Sequence, residues 1–462
     1  MSTYSNNDLI NIESFKDNGI DKELIERIKL KSYEVLKANR CIAKIPYYID
    51  NTTEYKTFIY TSPSQISGSD SHMDYTNKQW LWDSCLHSYI LAEVEPEIAK
   101  QELRALCFNQ KENGFIPHMN YWDGDGLIPP EWAKMKGLKL FWSNPFSSDI
   151  TQPPIIAFAL EEIYHQTKDR TFLIEMLPKL VKYYHYLAKY RDPDNDGLIS
   201  ILHPWESGWD NSQRWDTTLN IPGNKDYISR SVIDERKIQQ FISNVKENWN
   251  EEAIFIKGEF DIEPVDFNVL YCINLQALLR LLIIAGDKED YIKTKTIEAK
   301  TRKAILETMW DGNKYVDLSG KNNIPSDIKS SAMFYPLLLE GEMHYEELIN
   351  NYLLNSNEFL TPYGITTTSK SNPTFSPDDY WRGNVWFSNN YFILQGLKKI
   401  YNCFQYEPAK KGINYIINSS FYLLDKFEFY EYFNPLNGKG HGVKPLSWNA
   451  IVTKMVTFNE QY

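Results

Sequence analysis

Apolar residues recur along most of the chain at the three-to-four-residue spacing of amphipathic helices. Capping residues and prolines mark several of the boundaries, as Pro96 does at the start of one segment and Asp192-Pro193 at the end of another. The pattern predicts about twelve helices, joined in pairs by short turns. They cover residues 24–38, 80–94, a segment that starts at 96, 150–165, 171–190, 266–285, 291–310, 327–339, 345–353, 384–401, 412–429 and 448–456.

Two long segments, 109–148 and 212–264, lack a clear helical period and are rich in Trp, Tyr, Asp and Gly. Loops of this length inside a compact domain are usually functional or disordered. We expect them to cover the active site as walls or lids, and we expect a short hairpin at 47–62. Since no low-complexity linker interrupts the chain, residues 1–462 are predicted to form one domain.

Twelve paired helices predict an all-α fold, the (α/α)6 barrel, in which six inner helices are ringed by six outer ones. The alternative is an α-solenoid, but the chain shows no repeat of fixed period. In a closed barrel the connecting loops build the active site at one mouth.

The net charge is −12, from 49 basic and 61 acidic residues, and this balance argues against a nucleic-acid partner. Five cysteines lie far apart in sequence and suggest neither a disulfide framework nor a zinc site. The N-terminus lacks the apolar stretch of a signal peptide, and no apolar run suggests a membrane span. These features predict a soluble, cytoplasmic protein, and they leave its oligomeric state open.

Aromatic residues make up 15% of the chain, more than a core needs, and their rings can stack on sugars. Glycoside hydrolysis requires two carboxyl groups beside the scissile bond. Asp210 meets this description in the segment 205–212, because neighbouring Trp rings would raise the pKa of its carboxyl group by desolvation. The alternative is a surface turn in which Asp210 or Asp216 caps a helix.

A second candidate carboxyl group is Glu431, which stands among aromatic residues just before a turn, with Glu428 as the competitor. Asp83 lies in the first turn of an apolar helix. Either the helix dipole stabilises its negative charge, or its carboxylate binds sugar hydroxyls. The segment 378–386 has the same character before another helix.

The segment Asp192-Pro193-Asp194-Asn195-Asp196-Gly197 has the opening spacing of a calcium loop. His203 stands where the loop's bidentate glutamate belongs, so a plain turn is favoured over bound calcium. No zinc-binding histidine pair, phosphate loop or dinucleotide fingerprint is present in the sequence. We therefore expect neither a metal nor a cofactor in the reaction.

Several of these segments together resemble glycoside hydrolase family 63 and, more distantly, the trehalases. The matching segments, in family order, are 82–84, 206–212, 265–268, 363–365, 379–384 and 431–435. The resemblance implies the (α/α)6 barrel and hydrolysis of an α-glycoside with inversion. It assigns the general acid to Asp210 and the general base to Glu431, with Glu206 as an alternative acid. Beside this catalytic pair, the predicted substrate-binding residues are Trp82, Asp83, Gln152, Glu206, Trp209, Arg214, Tyr380, Trp381, Arg382 and Trp386.

The substrate is expected to be a small carbohydrate. The chain resembles the compact family members that hydrolyse mannosylglycerate and glucosylglycerate, since it has no room for an N-terminal β-domain. Their substrates carry a carboxylate, for which the candidate partners are Arg214, Arg382, His118 and Lys444. A trehalase or small α-glucosidase is the runner-up, because residues 379–382 depart from the trehalase pattern. An isomerase and a non-catalytic sugar-binding protein are the remaining alternatives.

Overall fold

The structure, a computed structural model, describes residues 20–49, 52–66, 75–221, 229–341 and 343–456. Helices dominate it, and they are separated by short β-hairpins. The α-helices are α1 (Lys22–Ala38), α2 (Leu81–Val94), α3 (Pro96–Leu106), α4 (Glu131–Met135), α5 (Ile156–Thr167), α6 (Arg170–Tyr190), α7 (Arg230–Lys246), α8 (Glu251–Lys257), α9 (Val265–Ala285), α10 (Lys288–Thr308), α11 (Tyr345–Glu347), α12 (Phe387–Phe404) and α13 (Glu407–Phe427).

Two longer 3-10 helices, Ser331–Leu338 and Ser447–Lys454, belong to the same architecture, and a π-helical turn, Leu348–Leu353, continues α11. Two short 3-10 helices, Pro204–Ser207 and Gln213–Trp215, flank Asp210. Pro336 lies inside the Ser331–Leu338 helix, where it lacks the N–H that a regular α-helix would need.

Six inner elements form a closed ring in the order α2, α5, α9, Ser331–Leu338, α12 and Ser447–Lys454, and the last contacts the first. One outer element packs on each inner one, in the same order α3, α6, α10, Leu348–Leu353, α13 and α1. This arrangement confirms the (α/α)6 barrel. Five inner elements are followed in the chain by their outer partners, and the sixth, Ser447–Lys454, packs on α1 from the other end of the chain. This alternation of inner and outer elements places the N-terminal ends of the inner ones at one mouth.

The sequence placed most of these helices within a few residues of their observed ends. The predicted helix 150–165 begins only at Ile156, because Pro153 and Pro154 precede it and restrict the backbone before them. Helix α9 is long and apolar enough to cross a membrane by length and composition, a feature that the sequence analysis missed. It lies in the inner ring with most of its surface buried, which accounts for its apolar character.

The strands form small antiparallel hairpins. The longest, β1 (Arg40–Ile49) with β2 (Thr52–Thr61), begins seven residues before the predicted hairpin and packs against α3. The others are β3 (Lys78–Trp80) with β4 (Met119–Tyr121), β5 (Ile262–Glu263) with β6 (Leu318–Ser319) and β7 (Ile324–Pro325), β8 (Leu360–Thr361) with β9 (Gly364–Ile365), and β10 (Tyr432–Phe433) with β11 (Gly440–His441).

The two segments predicted as long loops contain regular structure. Segment 109–148 holds β4 and α4, and segment 212–264 holds α7 and α8, which the sequence analysis missed. The two segments pack on each other: the rings of Phe141 and Phe241 stack at 4.7 Å, and Trp142 lies 5.2 Å from Trp249. All five cysteines are free, as predicted.

Candidate active site

Asp210 follows a tight turn that begins at the end of the Pro204–Ser207 helix. Gly208 adopts φ +74°, and a Cβ there would lie 2.5 Å from the ring of Trp82, so only glycine fits. The Ser207 hydroxyl donates to the Pro204 carbonyl and accepts from the Trp209 N–H. The turn is therefore fixed on both sides just before Asp210.

The Asp210 carboxyl group has the environment of an acid that keeps its proton. Burial raises its pKa to about 6, against the opposing charges of Lys237 and Arg230 on α7. Within the described residues, no side chain donates a hydrogen bond to this carboxyl group. A proton donor needs both features: a pKa near the working pH and a proton free to leave.

The Glu431 carboxyl group differs from that of Asp210 in its hydrogen bonds. Its Oε1 accepts hydrogen bonds from the hydroxyls of Tyr75 (2.9 Å) and Tyr380 (3.3 Å), and its Oε2 accepts one from the Val443 N–H (3.0 Å). Burial is the largest effect and leaves the pKa of Glu431 raised overall, while these three donors oppose the rise. Hydrogen bonds to a carboxylate favour its ionised form, which is the form that a general base needs.

Asp83 and Tyr380 lie close enough to both carboxyl groups to feel their charges. Asp83, in the first turn of α2, is buried, and the charges of Glu431 and Asp210 add to the burial that raises its pKa. The same two carboxylates raise the pKa of the Tyr380 phenol. Tyr380 has φ +40°, an unfavourable backbone conformation for a tyrosine, as found for residues held in place at functional sites. The structure thus brings four of the predicted residues together.

Five parallel rings form a continuous stack, here called the ring stack. Trp381 lies between Trp209 (centroids 5.0 Å apart) and Trp386 (3.8 Å), and Tyr432 and His441 extend the row. Both faces of Trp381 are covered, and all three Trp side chains are buried. Rings therefore occupy both faces of Trp381 and Trp386, on which the sequence analysis expected a sugar to stack, and the Arg214 guanidinium lies 5.0 Å from the centroid of the Trp209 ring.

The other two predicted contacts lie beside this stack. Trp82 packs against Trp381 and, edge-on, against Trp448 at 4.9 Å. The Gln152 side-chain oxygen faces the Trp82 N–H at 3.5 Å. The indole N–H groups of Trp381 and Trp448 are buried and lack a hydrogen-bond partner among the described residues. Buried donors without partners are rare, which makes these two candidates for contact with a ligand.

Arg214 and Arg382, predicted to meet a substrate carboxylate, are both bound to carboxylates of the protein itself. Arg214 donates two hydrogen bonds to Asp317 and one to Asp266. Arg382 forms a bidentate pair with Asp216 at 2.9 and 2.5 Å. All these side chains are buried. Both arginines therefore hold the loops around the site together, although the buried Nη1 of Arg214 has no hydrogen-bond partner among the described residues.

Both carboxylate oxygens of Glu206, the alternative acid, likewise accept hydrogen bonds from the protein. Its carboxylate pairs with Arg191 through two bonds of 2.8 Å and accepts the N–H groups of Thr151 and Leu202. The structure therefore contradicts a role for Glu206 as acid or as substrate ligand.

The remaining candidates for the carboxylate partner and the base are also engaged elsewhere. His118 is buried beside Ser148, and burial together with His203 lowers its pKa to about 3, so it is neutral. Lys444 pairs with Glu428, the competing base, whose carboxylate Lys31 also contacts.

A profile described as the mannosylglycerate hydrolase MGH1-like glycoside hydrolase domain matches residues 75–449. The chain belongs to this family of glycoside hydrolases. The mannosylglycerate hydrolase of Rubrobacter radiotolerans is 29% identical over 81% of this chain and 89% of its own. The glucosylglycerate hydrolase of Mycolicibacterium hassiacum is 26% identical over 80% of this chain and 90% of that protein.

Solved structures agree with the fold. The family 63 mannosylglycerate hydrolase of Thermus thermophilus, in complex with Tris and D-glycerate, superposes with a TM-score of 0.74 at 25% identity, over 93% of this chain and 99% of that one. The neutral trehalase Nth1 of Saccharomyces cerevisiae shares the fold more distantly, with a TM-score of 0.55 at 12% identity over 94% and 80%. The predicted family, fold and enzyme class are confirmed.

The sequence analysis missed two residues near Asp210 and Glu431, Tyr75 and Arg230. Tyr75 precedes the matched motifs and donates to Glu431. Arg230 opens α7, whose mixed charges resemble an ordinary solvated helix. Its guanidinium lies 5.2 Å above the Tyr380 ring and acts electrostatically on both Asp210 and Glu431. Neither residue carries a sequence signal that separates it from its neighbours.

Proposed function

We propose that this enzyme hydrolyses an α-glycoside of glycerate, mannosylglycerate or glucosylglycerate, with inversion at the anomeric carbon. The observation that carries the proposal is the different hydrogen bonding of two buried carboxyl groups in a member of this family: burial raises the pKa of Asp210 to about 6 with no side-chain donor from the described residues, whereas three donors hold the Glu431 carboxyl group. This difference supports the division of roles between acid and base that an inverting glycosidase needs.

In the proposed reaction, Asp210 protonates the glycosidic oxygen as the bond to glycerate breaks. Glu431 removes a proton from a water molecule, which attacks the anomeric carbon from the opposite face of the sugar. Tyr75 and Tyr380 keep the Glu431 carboxylate ionised and oriented. The products are the free sugar, with inverted configuration, and glycerate.

Arg230 is the proposed partner of the glycerate carboxylate. Its Nε has no hydrogen-bond partner among the described residues, and the nearest carboxylate oxygen, from Asp234, is 3.9 Å away. The planar guanidinium suits a carboxylate, and partial burial strengthens the attraction. The curated relatives named above as mannosylglycerate and glucosylglycerate hydrolases support the same substrate class.

Four substrates test the proposal: glucosylglycerate, mannosylglycerate, trehalose, and glucosylglycerol, in which a CH2OH group replaces the carboxylate. We expect kcat/KM for the better glycerate glycoside to exceed that for glucosylglycerol by about 10²-fold, since a partly buried cation left without its carboxylate partner disfavours a neutral aglycone. Arg230→Met should remove most of this preference, and it should affect glucosylglycerol less. Faster cleavage of glucosylglycerol or trehalose by the unmodified enzyme would refute the glycerate assignment.

Proton NMR of the first product tests the stereochemistry. An inverting enzyme releases the β-anomer from an α-glycoside before mutarotation sets in. Early appearance of the α-anomer would contradict the assigned roles of Asp210 and Glu431.

A further inference from the structure

Asn211, the residue directly after Asp210, binds both chain neighbours of Tyr380. Its side-chain amide group donates to the Asp379 carboxylate at 3.1 Å, and its side-chain oxygen accepts the Trp381 N–H at 3.0 Å. Asn211 is buried, with 1% of its surface exposed. The two contacts therefore hold the backbone on each side of Tyr380 against the loop that carries Asp210.

Two further hydrogen bonds join the same two segments, 210–216 and 379–382. The Arg382 guanidinium donates to the main-chain carbonyl of Asn211 at 3.0 Å. The side chain of Gln213 donates to the main-chain carbonyl of Arg382 at 2.8 Å. All three side chains are buried, so the two segments form one rigid connection around Asn211.

The backbone of Tyr380 needs such support. Its φ of +40° is unfavourable for a residue other than glycine, and such conformations persist only where surrounding contacts impose them. Its carbonyl accepts from Asn384 and from the Trp386 indole, both at 3.1 Å, and its hydroxyl donates to Glu431 at 3.3 Å. The place of this hydroxyl beside Glu431 thus depends on the two neighbours that Asn211 holds.

The contacts at position 211 require an amide. One short side chain must donate to a carboxylate and accept from a main-chain N–H, and asparagine carries both kinds of atom. An ionised aspartate has acceptors only, and leucine, of nearly the same shape, has neither donor nor acceptor. Loss of the amide would leave the buried Asp379 carboxylate and the Trp381 N–H without this partner, which costs free energy for each.

We propose that Asn211 is a positioning residue, which sets the acid and the base of the proposed reaction relative to each other. It fixes the backbone next to Asp210, and it holds the Tyr380 hydroxyl against Glu431. This role rests on the proposed functions of Asp210 and Glu431, and Asn211 itself transfers no proton. Its loss should therefore misplace both groups at once and lower turnover more than substrate binding.

Asn211→Leu tests this role, with Asn274→Leu as the matched control. Asn274 is buried in α9, where its side chain accepts the Phe158 N–H and donates to the Leu270 carbonyl. Both variants lose a buried amide with partners on two sides, and both should be less stable in thermal unfolding. At a temperature where both are folded, only Asn211→Leu should lose kcat, by about 10²-fold, with little change in KM.

The exchanged pair, Asn211→Asp combined with Asp379→Asn, reverses donor and acceptor in this hydrogen bond. The introduced aspartate can still accept the Trp381 N–H, so the double variant should keep kcat at least about tenfold above that of Asn211→Leu. The α-glycosyl fluoride of the preferred sugar has a leaving group that needs no proton. Asp210→Asn should therefore regain turnover on it, whereas Asn211→Leu should regain only part, because the base is still misplaced.

Equal kcat values for Asn211→Leu and Asn274→Leu would overturn the positioning role, and so would an exchanged pair no more active than Asn211→Leu. If Asn211→Leu does not fold, the exchanged pair alone decides: it must fold and keep kcat within about tenfold of the unmodified enzyme. Failure of the proposed function has a different sign, since Asp210→Asn itself would then keep its turnover on the unactivated glycoside.

Discussion

Replacing Gly442 with alanine would test whether Glu431 must occupy its observed position. Gly442 has φ +74°, and a Cβ there would lie 2.7 Å from the Cβ of Glu431 and 2.9 Å from its Cδ, with Oε2 nearer still. Non-bonded carbon atoms prefer about 3.5–4.0 Å, so the glutamate must move by about 1 Å. Such a shift weakens its hydrogen bonds from Tyr75 and Val443 and moves the base away from its water.

Two effects are expected in Gly442→Ala, and they can be measured separately. Alanine in the left-handed region costs about 1–2 kcal/mol of stability. Misplacement of the base by about 1 Å should lower kcat by about 10²-fold. The assay is kcat on the preferred glycoside, alongside thermal unfolding.

Gly286→Ala is the matched control. Gly286 ends α9 with φ +82°, and a Cβ there would meet nothing within 4 Å. Both variants carry the same backbone strain, and only Gly442→Ala should lose turnover. If Gly442→Ala keeps the kcat of Gly286→Ala, the position of Glu431 does not matter for the reaction, and its assignment as base is wrong.

Three further outcomes are expected. Asp210→Asn and Glu431→Gln should fold normally and lose about 10²–10⁴-fold in kcat, measured on a substrate with a poor leaving group. Because Asp210 must be protonated and its pKa is raised to about 6, kcat/KM should fall as pH rises through about 6. Lys237→Met removes a charge that favours the Asp210 carboxylate, so this limb should move to higher pH, by up to about 1 unit. Arg191→Met leaves the buried Glu206 carboxylate unpaired and should lower the free energy of unfolding by about 3–5 kcal/mol in urea titrations.

The sequence predicted the barrel well, because inner helices such as α9 must be apolar and outer ones such as α13 amphipathic. It located Asp210 and Glu431 because each stands among aromatic residues in a short, recognisable motif. Helix α7 was missed since its charges are spread around the helix, without an apolar stripe that a periodicity search would find.

Contacts between residues that lie far apart in the sequence were harder to predict. Arg382 and Asp216 are separated by 166 residues, and no local pattern marks them as a pair. The same holds for Trp209 and Trp381, which stack face to face across the site. Sugar-binding residues and residues that hold the site together share one composition, so only the fold distinguishes them.

The ring stack also bears on the distance between the loops that carry Asp210 and Glu431. Trp209 directly precedes Asp210 in the chain, and Tyr432 directly follows Glu431. The first and fourth rings of the stack are therefore attached to the proposed acid and the proposed base, which must flank the substrate. Trp381 and Trp386, the two rings between them, separate the loop that carries Asp210 from the loop that carries Glu431. Inverting and retaining glycosidases differ in this separation by only a few ångströms. We expect that replacing Trp381 or Trp386 with a small side chain would change the separation of Asp210 and Glu431 without altering either carboxyl group.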